Sequence, residues 1–167
     1  SFDRKVYQLL KPIRKSLLNA NTFKTGSKTL PGVSIVVPVL NEAENIAPLI
    51  AEIRSVLTTL GPFEIIYVDD GSADATPEVL KREAENCPEL VIVRHSIVSG
   101  QSAAIRTGVI SARAPVIVTI DGDGQNDPAD IPMLLATYFE SQDRTHLLIA
   151  GHRTQRKDVW GKRISSR

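Results

Sequence analysis

Four carboxylates fall in two short runs, Asp69-Asp70-Gly71-Ser72 and Asp121-Gly122-Asp123-Gly124-Gln125. Each run comes after an apolar, β-branched string: Ile65-Ile66-Tyr67-Val68 for the first, Val116-Ile117-Val118-Thr119-Ile120 for the second. A carboxylate is costly to desolvate unless a cation or hydrogen-bond donors meet it. Two of them with two glycines at the tip of a buried strand therefore suit a divalent metal and a diphosphate. A third polar pair, Asn41-Glu42, comes just after Val33-Ser34-Ile35-Val36-Val37. His95, His146 and His152 are not at metal-ligand spacing, and a single cysteine, Cys87, excludes an intramolecular disulfide and a cysteine-based zinc site.

The elements that must carry these residues alternate regularly. Strands are expected at Val33–Val37, Glu64–Val68, Leu90–Val93, Pro115–Ile120 and His146–Ala150. Helices are expected from about Ala43 to Leu60, where Gly61-Pro62 stops the pattern, from Thr76 as cap, from Gly100 to about Ala112, and from Pro128 through Phe139. Short strands that are apolar on both faces, separated by helices, predict an α/β fold: a mostly parallel sheet with helices on both faces. In such a sheet ligands bind beyond the carboxyl ends of the strands. All three polar clusters fall there.

The turn after the first strand excludes several nucleotide-binding chemistries. A dinucleotide fold needs Gly-x-Gly-x-x-Gly at that turn, and Pro38-Val39-Leu40-Asn41-Glu42 has no glycine. No Gly-Lys-Ser/Thr of a P-loop occurs. A haloacid-dehalogenase-type phosphatase would carry its Asp-x-Asp-x-Thr after the first strand, whereas here the pair comes after the fourth and Gln125 stands in place of the threonine. Alone, Asp69-Asp70-Gly71-Ser72 reads equally as a turn with a helix cap.

Together, and about fifty residues apart, the two acidic runs resemble the family 2 glycosyltransferases, polyprenyl-phosphate branch. Val37-Pro38-Val39-Leu40-Asn41-Glu42, Val68-Asp69-Asp70-Gly71-Ser72 and Gly100-Gln101-Ser102-Ala103-Ala104-Ile105-Arg106-Thr107-Gly108 are similar to its first three motifs. Asp121-Gly122-Asp123-Gly124-Gln125-Asn126-Asp127-Pro128 resembles its metal motif, and the basic segments from Gly151 onward also fit. The resemblance implies the A-type glycosyltransferase fold, a nucleotide-sugar donor linked to GDP or UDP, and a dolichyl- or undecaprenyl-phosphate acceptor. It implies Mg²⁺ or Mn²⁺ on Asp123, with Asp121 at the ribose, the sugar or the metal shell. Gln125 would contact the sugar or the acceptor. Pro38, Leu40, Glu42, Gly100 and Gln101 would line the nucleotide site, and Asp69 or Asp70 would accept a base N–H. Arg153, Arg156 and Arg163, with Ser166, would hold the acceptor phosphate, and Arg153 joins Asp121, Asp123 and Gln125 as catalytic. The alternatives are a saccharide acceptor, which needs a general base, or a non-catalytic nucleotide-sugar-binding module.

Length and charge set the frame for this reading. The chain has 167 residues, of which 42% are hydrophobic and 23% charged, enough for one soluble domain with a proper core. Its net charge of +1 conceals a pattern. Residues 1–28 hold seven Lys/Arg against Asp3, residues 151–167 hold six against Asp158, and the middle holds seven against seventeen acidic residues. Phe2, Val6, Leu9, Leu10, Ile13, Leu17 and Leu18 place an amphipathic face on the basic N-terminal stretch, suited to a membrane surface, a partner or its own domain. Residues 1–31 are read as this helix and its linker, and residues 32–167 as the catalytic domain. The chain starts without methionine and ends in a basic run, so it is expected to be a piece of a longer protein, working at the cytoplasmic face of a membrane. No nucleic acid is expected as a partner.

Overall fold

The computed structural model describes residues 31–141 together with Lys15, Leu148 and Ile149. Four strands alternate with helices: β1 (Val33–Val39), α1 (Ala43–Leu57), β2 (Phe63–Asp69), α2 (Thr76–Ala84), β3 (Leu90–Arg94), α3 (Gln101–Ser111) and β4 (Val116–Thr119). A 3-10 turn at Pro128–Asp130 leads into α4 (Ile131–Glu140). Every pairing is parallel, in the order β3-β2-β1-β4. The chain thus builds outward from β1 to β3 and then returns to the other side of β1. That reversal opens a crevice between the carboxyl ends of β1 and β4.

Alternation along the strands sorts side chains to two faces. Val33, Ile35, Val37 and Val39 of β1, with Ile65 and Tyr67 of β2, pack under Ile46, Leu49, Ile53 and Leu57 of α1, Leu80 of α2 and Leu135 of α4. Val36, Ile66 and Val68 face α3 and its Ala104. Each such fully buried aliphatic side chain contributes roughly 1.5–3 kcal/mol. α3 lies close on the sheet because residue 108 is glycine: a Cβ there would stand 2.3 Å from Val36 Cγ1.

Most expected elements are present with shifted ends. β1 runs on through Pro38 and Val39, in register with Val68 and Asp69. Proline cannot donate to a ladder, but β4 pairs only as far as Val36, and the side of β1 on which Pro38 lacks its N–H is the one β4 has left. α1 ends at Leu57 rather than Leu60, where the Leu60 and Gly61 N–H groups both turn back to the Leu57 carbonyl at 2.9 and 3.4 Å. The helix expected from Pro128 starts as the 3-10 turn, with Asp127 Oδ1 accepting from Ala129 N at 2.9 Å. Thr76 is not the cap of α2 but its first residue. Asp74 Oδ1 accepts the Thr76 N–H at 2.9 Å, which releases the Thr76 hydroxyl to accept from Glu42 N at 2.9 Å. The expected N-terminal helix and basic tail lie outside the described residues, as does most of the expected strand His146–Ala150; Leu148 and Ile149 belong to no strand.

One buried charge sits on the α3 face. Glu64 is almost wholly enclosed, and Arg113 meets it three times: backbone N at 2.7 Å from Oε1, Nε at 2.8 Å and Nη2 at 2.7 Å from Oε2. Ser34 Oγ donates to Oε1 at 2.6 Å and accepts from Ala114 N at 3.2 Å. A buried carboxylate is tolerated when its lone pairs are filled in this way. The cluster ties β1 and β2 to the loop entering β4.

Candidate active site

At the end of β2 the two aspartates part company. Asp69 is fully buried: Oδ1 accepts from Ser72 N at 2.8 Å, and Oδ2 lies 3.1 Å from Arg94 Nε. Strand register puts Arg94 directly opposite Asp69, and Arg94 Nη2 also donates to the Ser72 carbonyl at 2.9 Å. Asp70 turns the other way. Its Oδ1 lies 2.7 Å from His95 Nδ1 and 2.9 Å from Ser99 N, and its Oδ2 accepts from Ser99 N at 3.1 Å and Gly100 N at 2.7 Å. Burial pushes the Asp70 carboxyl up, but the His95 bond and the Ser99 and Gly100 N–H groups outweigh it and hold the carboxyl below its usual range.

The turn after β1 is fastened to the same loop. Asn41 sits at φ 56, a left-handed conformation asparagine tolerates better than most residues. There its N–H donates to Ser72 Oγ and its Oδ1 accepts from Ala73 N, both at 2.9 Å. Glu42 is next in the chain, its Oε2 accepting from Asn45 Nδ2 at 2.6 Å.

The loop after β4 closes the crevice. Gly122 lies against β1 so tightly that a Cβ would meet Val39 Cγ1 at 2.3 Å and the Pro38 carbonyl oxygen at 2.9 Å. This contact holds Asp121 and Asp123 over the end of β1. Asp121 Oδ1 accepts from Gln101 Nε2 at 2.8 Å, across the crevice, and Oδ2 from Asn126 Nδ2 at 3.1 Å. Asp123 is exposed and accepts the Gln125 backbone N–H at 3.0 Å.

A cleft of about 350 Å³ results, walled by Pro38, Leu40, Glu42, Asp70, Gly100, Gln101, Asp121 and Asp123. These are eight of the residues expected at the site, drawn from four separate stretches of chain. Asp69 is not in the lining; it braces the loop from behind. Gln125 is also outside the lining. Arg153, Arg156, Arg163 and Ser166 lie outside the described residues. Sequence reasoning passed over Arg94, weighed His95 only as a metal ligand, and met Asn126 only as part of the metal motif. Parallel pairing of β3 with β2 was the available signal for the first two, because it places the residues ending β3 beside those ending β2.

The sequence matches the Glycosyl transferase family 2 domain over residues 34–165. The chain belongs to glycosyl transferase family 2. Among its relatives is an undecaprenyl-phosphate 4-deoxy-4-formamido-L-arabinose transferase from Edwardsiella ictaluri, 35% identical over 143 residues, covering 84% of this chain and 42% of that protein. Another is a dodecaprenyl-phosphate galacturonate synthase from Rhizobium johnstonii, 38% identical over 128 residues, covering 75% of this chain and 37% of that protein. The polyprenyl-phosphate branch indicated by the motifs is therefore where its relatives lie. The chain spans about two fifths of the length of these curated relatives.

Solved structures agree on the fold. A mannosyltransferase from Pyrobaculum calidifontis in complex with GDP-Man and Mn²⁺ superposes with a TM-score of 0.56 at 22% identity, covering 78% of this chain and 40% of that one. Glucosyl-3-phosphoglycerate synthase from M. tuberculosis gives 0.57 at 23%, covering 77% and 46%. The sheet and its helices form the A-type glycosyltransferase fold expected from the motifs.

Four carboxylates line the cleft, Glu42, Asp70, Asp121 and Asp123, and of these Asp121 and Asp123 share one loop and could hold a cation together. Among the described residues no group of three or more His, Cys, Asp or Glu side chains could enclose an ion alone. Two carboxylates at the mouth of a cleft suit a hard cation such as Mg²⁺ or Mn²⁺, which takes its other oxygens from water and substrate phosphates.

Proposed function

We propose that this chain forms the donor-binding part of a metal-dependent, inverting glycosyltransferase. It passes a hexose-type sugar from a GDP- or UDP-linked donor to a polyprenyl phosphate at the cytoplasmic face of a membrane. The observation that carries the reading is the convergence of Glu42, Asp70, Asp121 and Asp123 on one cleft at the β1–β4 switch point. The names of the relatives, which specify undecaprenyl and dodecaprenyl phosphate, support the acceptor.

In this reading the nucleoside lies along Pro38, Leu40 and Glu42, and Asp70 takes a base N–H. A carboxylate offers about four acceptor sites. Asp70 meets three protein donors (His95, Ser99 and Gly100), and the Ser99 N–H is shared between its two oxygens, so a ligand N–H would take over one of the Ser99 contacts. Gly100 and Gln101 close the nucleotide side, and Gln125 serves the sugar. Asp121 and Asp123 would hold a Mg²⁺ or Mn²⁺ ion, which would supply positive charge to the leaving nucleoside diphosphate. The acceptor phosphate is already an anionic nucleophile, so attack at the sugar C1 with inversion needs no general base, only position and charge. Arg153, Arg156 and Arg163 suit a phosphate through paired guanidinium hydrogen bonds, and the Ser166 hydroxyl would be a further donor. Among the described residues no helix is long and apolar enough to cross a membrane. The basic amphipathic N-terminal stretch would suit a lipid surface, a partner or its own domain.

Calorimetry of the full-length protein against UDP- and GDP-sugars, with and without Mn²⁺, tests the proposal. Metal-dependent binding of one class is expected, together with loss of transfer to polyprenyl phosphate in Asp123→Ala. Binding of neither class, or undiminished transfer by Asp123→Ala, would sink it.

A further inference from the structure

Two consecutive residues at the end of β3 grip the two consecutive aspartates at the end of β2. Arg94 takes Asp69 and His95 takes Asp70. The Arg94 contact is explained by structure alone, since Asp69 is buried behind the cleft. The His95 contact is different, because Asp70 faces the cleft. We propose that His95 is a positioning residue for donor binding, fixing the direction in which the Asp70 carboxylate meets the nucleobase. The inference rests on the donor-site reading above.

The imidazole is held at both nitrogens: Nδ1 is 2.7 Å from Asp70 Oδ1 and Nε2 is 2.8 Å from Thr107 Oγ1. The Asp70 carboxyl, held ionised, has no proton to give, so Nδ1–H is the donor to it. The His95 backbone N–H donates to the Asp69 carbonyl at 2.9 Å, so the main chain beneath the ring is locked to β2 as well. Thr107 sits on α3 beside Gly108, where the helix lies closest to β1. Rotating the ring therefore breaks its contact with α3. The two other donors to Asp70, Ser99 N and Gly100 N, are backbone groups of the turn that leads into α3, where Gly100 is the cap residue. His95 is thus the side-chain donor to Asp70, and its far nitrogen meets α3 at Thr107.

The test measures affinity for UDP and GDP in the presence of Mn²⁺, with thermal midpoints, for the full-length parent and for His95→Ala, His95→Asn and Thr107→Val. Loss of a hydrogen bond to a charged group predicts about tenfold weaker binding in His95→Ala. Asparagine places an amide N–H near the position of Nδ1, so His95→Asn should recover most of that loss at a similar thermal midpoint. Thr107→Val should fall between parent and His95→Ala. Parent-like binding by His95→Ala would overturn the role of His95 while leaving the donor site intact. Equal losses in the Asn and Ala variants would show that the ring only fills space, and would overturn it too. If His95→Ala does not fold, a parent-like Thr107→Val together with an unrescued His95→Asn has the same force. Failure of the parent to bind either nucleotide would instead bring down the donor-site reading, and this inference with it.

Discussion

Asp121 is where the two walls of the cleft meet. Gln101 holds one of its oxygens from α3 and Asn126 the other from its own loop, so the plane of the carboxylate is set before any ligand arrives. Supports of this kind typically matter 10–100-fold in metal affinity. On the proposed metal role, Gln101→Ala is expected to weaken Mn²⁺-dependent donor binding by about tenfold, read by calorimetry, with little change in thermal midpoint. Gln101→Glu, which sets a second carboxylate against Asp121, should lose more. Asp70 has a consequence for pH. It binds a proton less readily folded than unfolded, so its contribution to stability is complete above its ordinary value of 3.8 and is lost as the pH falls below that. Urea unfolding at pH 7 and at pH 3 should show the parent losing more stability between the two than Asp70→Asn does. Which of the two aspartates faces the cleft was not legible in the sequence. Alternation stops being a guide once the strand ends, and the choice was made by Arg94 and His95, residues about 25 positions away whose partners depend on strand register.

Elements were read more readily than residues, for a physical reason. Helical spacing in α1 and apolar runs in β1, β2 and β4 are local, and each buries surface in the manner its period requires. Their ends depended on hydrogen bonds between distant stretches. Thr76 looked like a cap because its type and place fitted one, yet Asp74 two residues earlier satisfied the N–H and the hydroxyl went to Glu42. The Glu64–Arg113 pair was invisible for the same reason, being 49 residues apart. Glu64 even breaks the apolar pattern of its strand, and only its enclosed partners explain it. Arg113→Ala leaves Glu64 buried with Ser34 Oγ and a backbone N–H. The guanidinium is half in water, which moderates the loss, so a destabilisation of about 2 kcal/mol is expected in denaturant titration. Glu64→Gln should cost less in the Arg113→Ala background than in the parent, since the uncompensated charge is then gone.

Taken whole, the described chain is a cleft assembled from two sides of one strand. β2 and its loop bring Asp70, β4 and its loop bring Asp121 and Asp123, and β1 joins them. A donor that touches both sides should therefore slow amide exchange in β4 as well as in the residues after β2. At a concentration of 100 times its dissociation constant it should add about 2.7 kcal/mol of stability. Protection confined to one wall would contradict a ligand that spans the cleft. The same arrangement has a history built into it during synthesis. Ser34 and Ala114, joined in the finished fold, are 80 residues apart. For as long as that stretch takes to translate, β1 can pair with β2 while the flank meant for β4 stays bare. An apolar central strand with an open flank is a template for wrong partners. The nascent protein therefore passes through its most adhesive state with one wall of the cleft formed and the acidic wall still to be made.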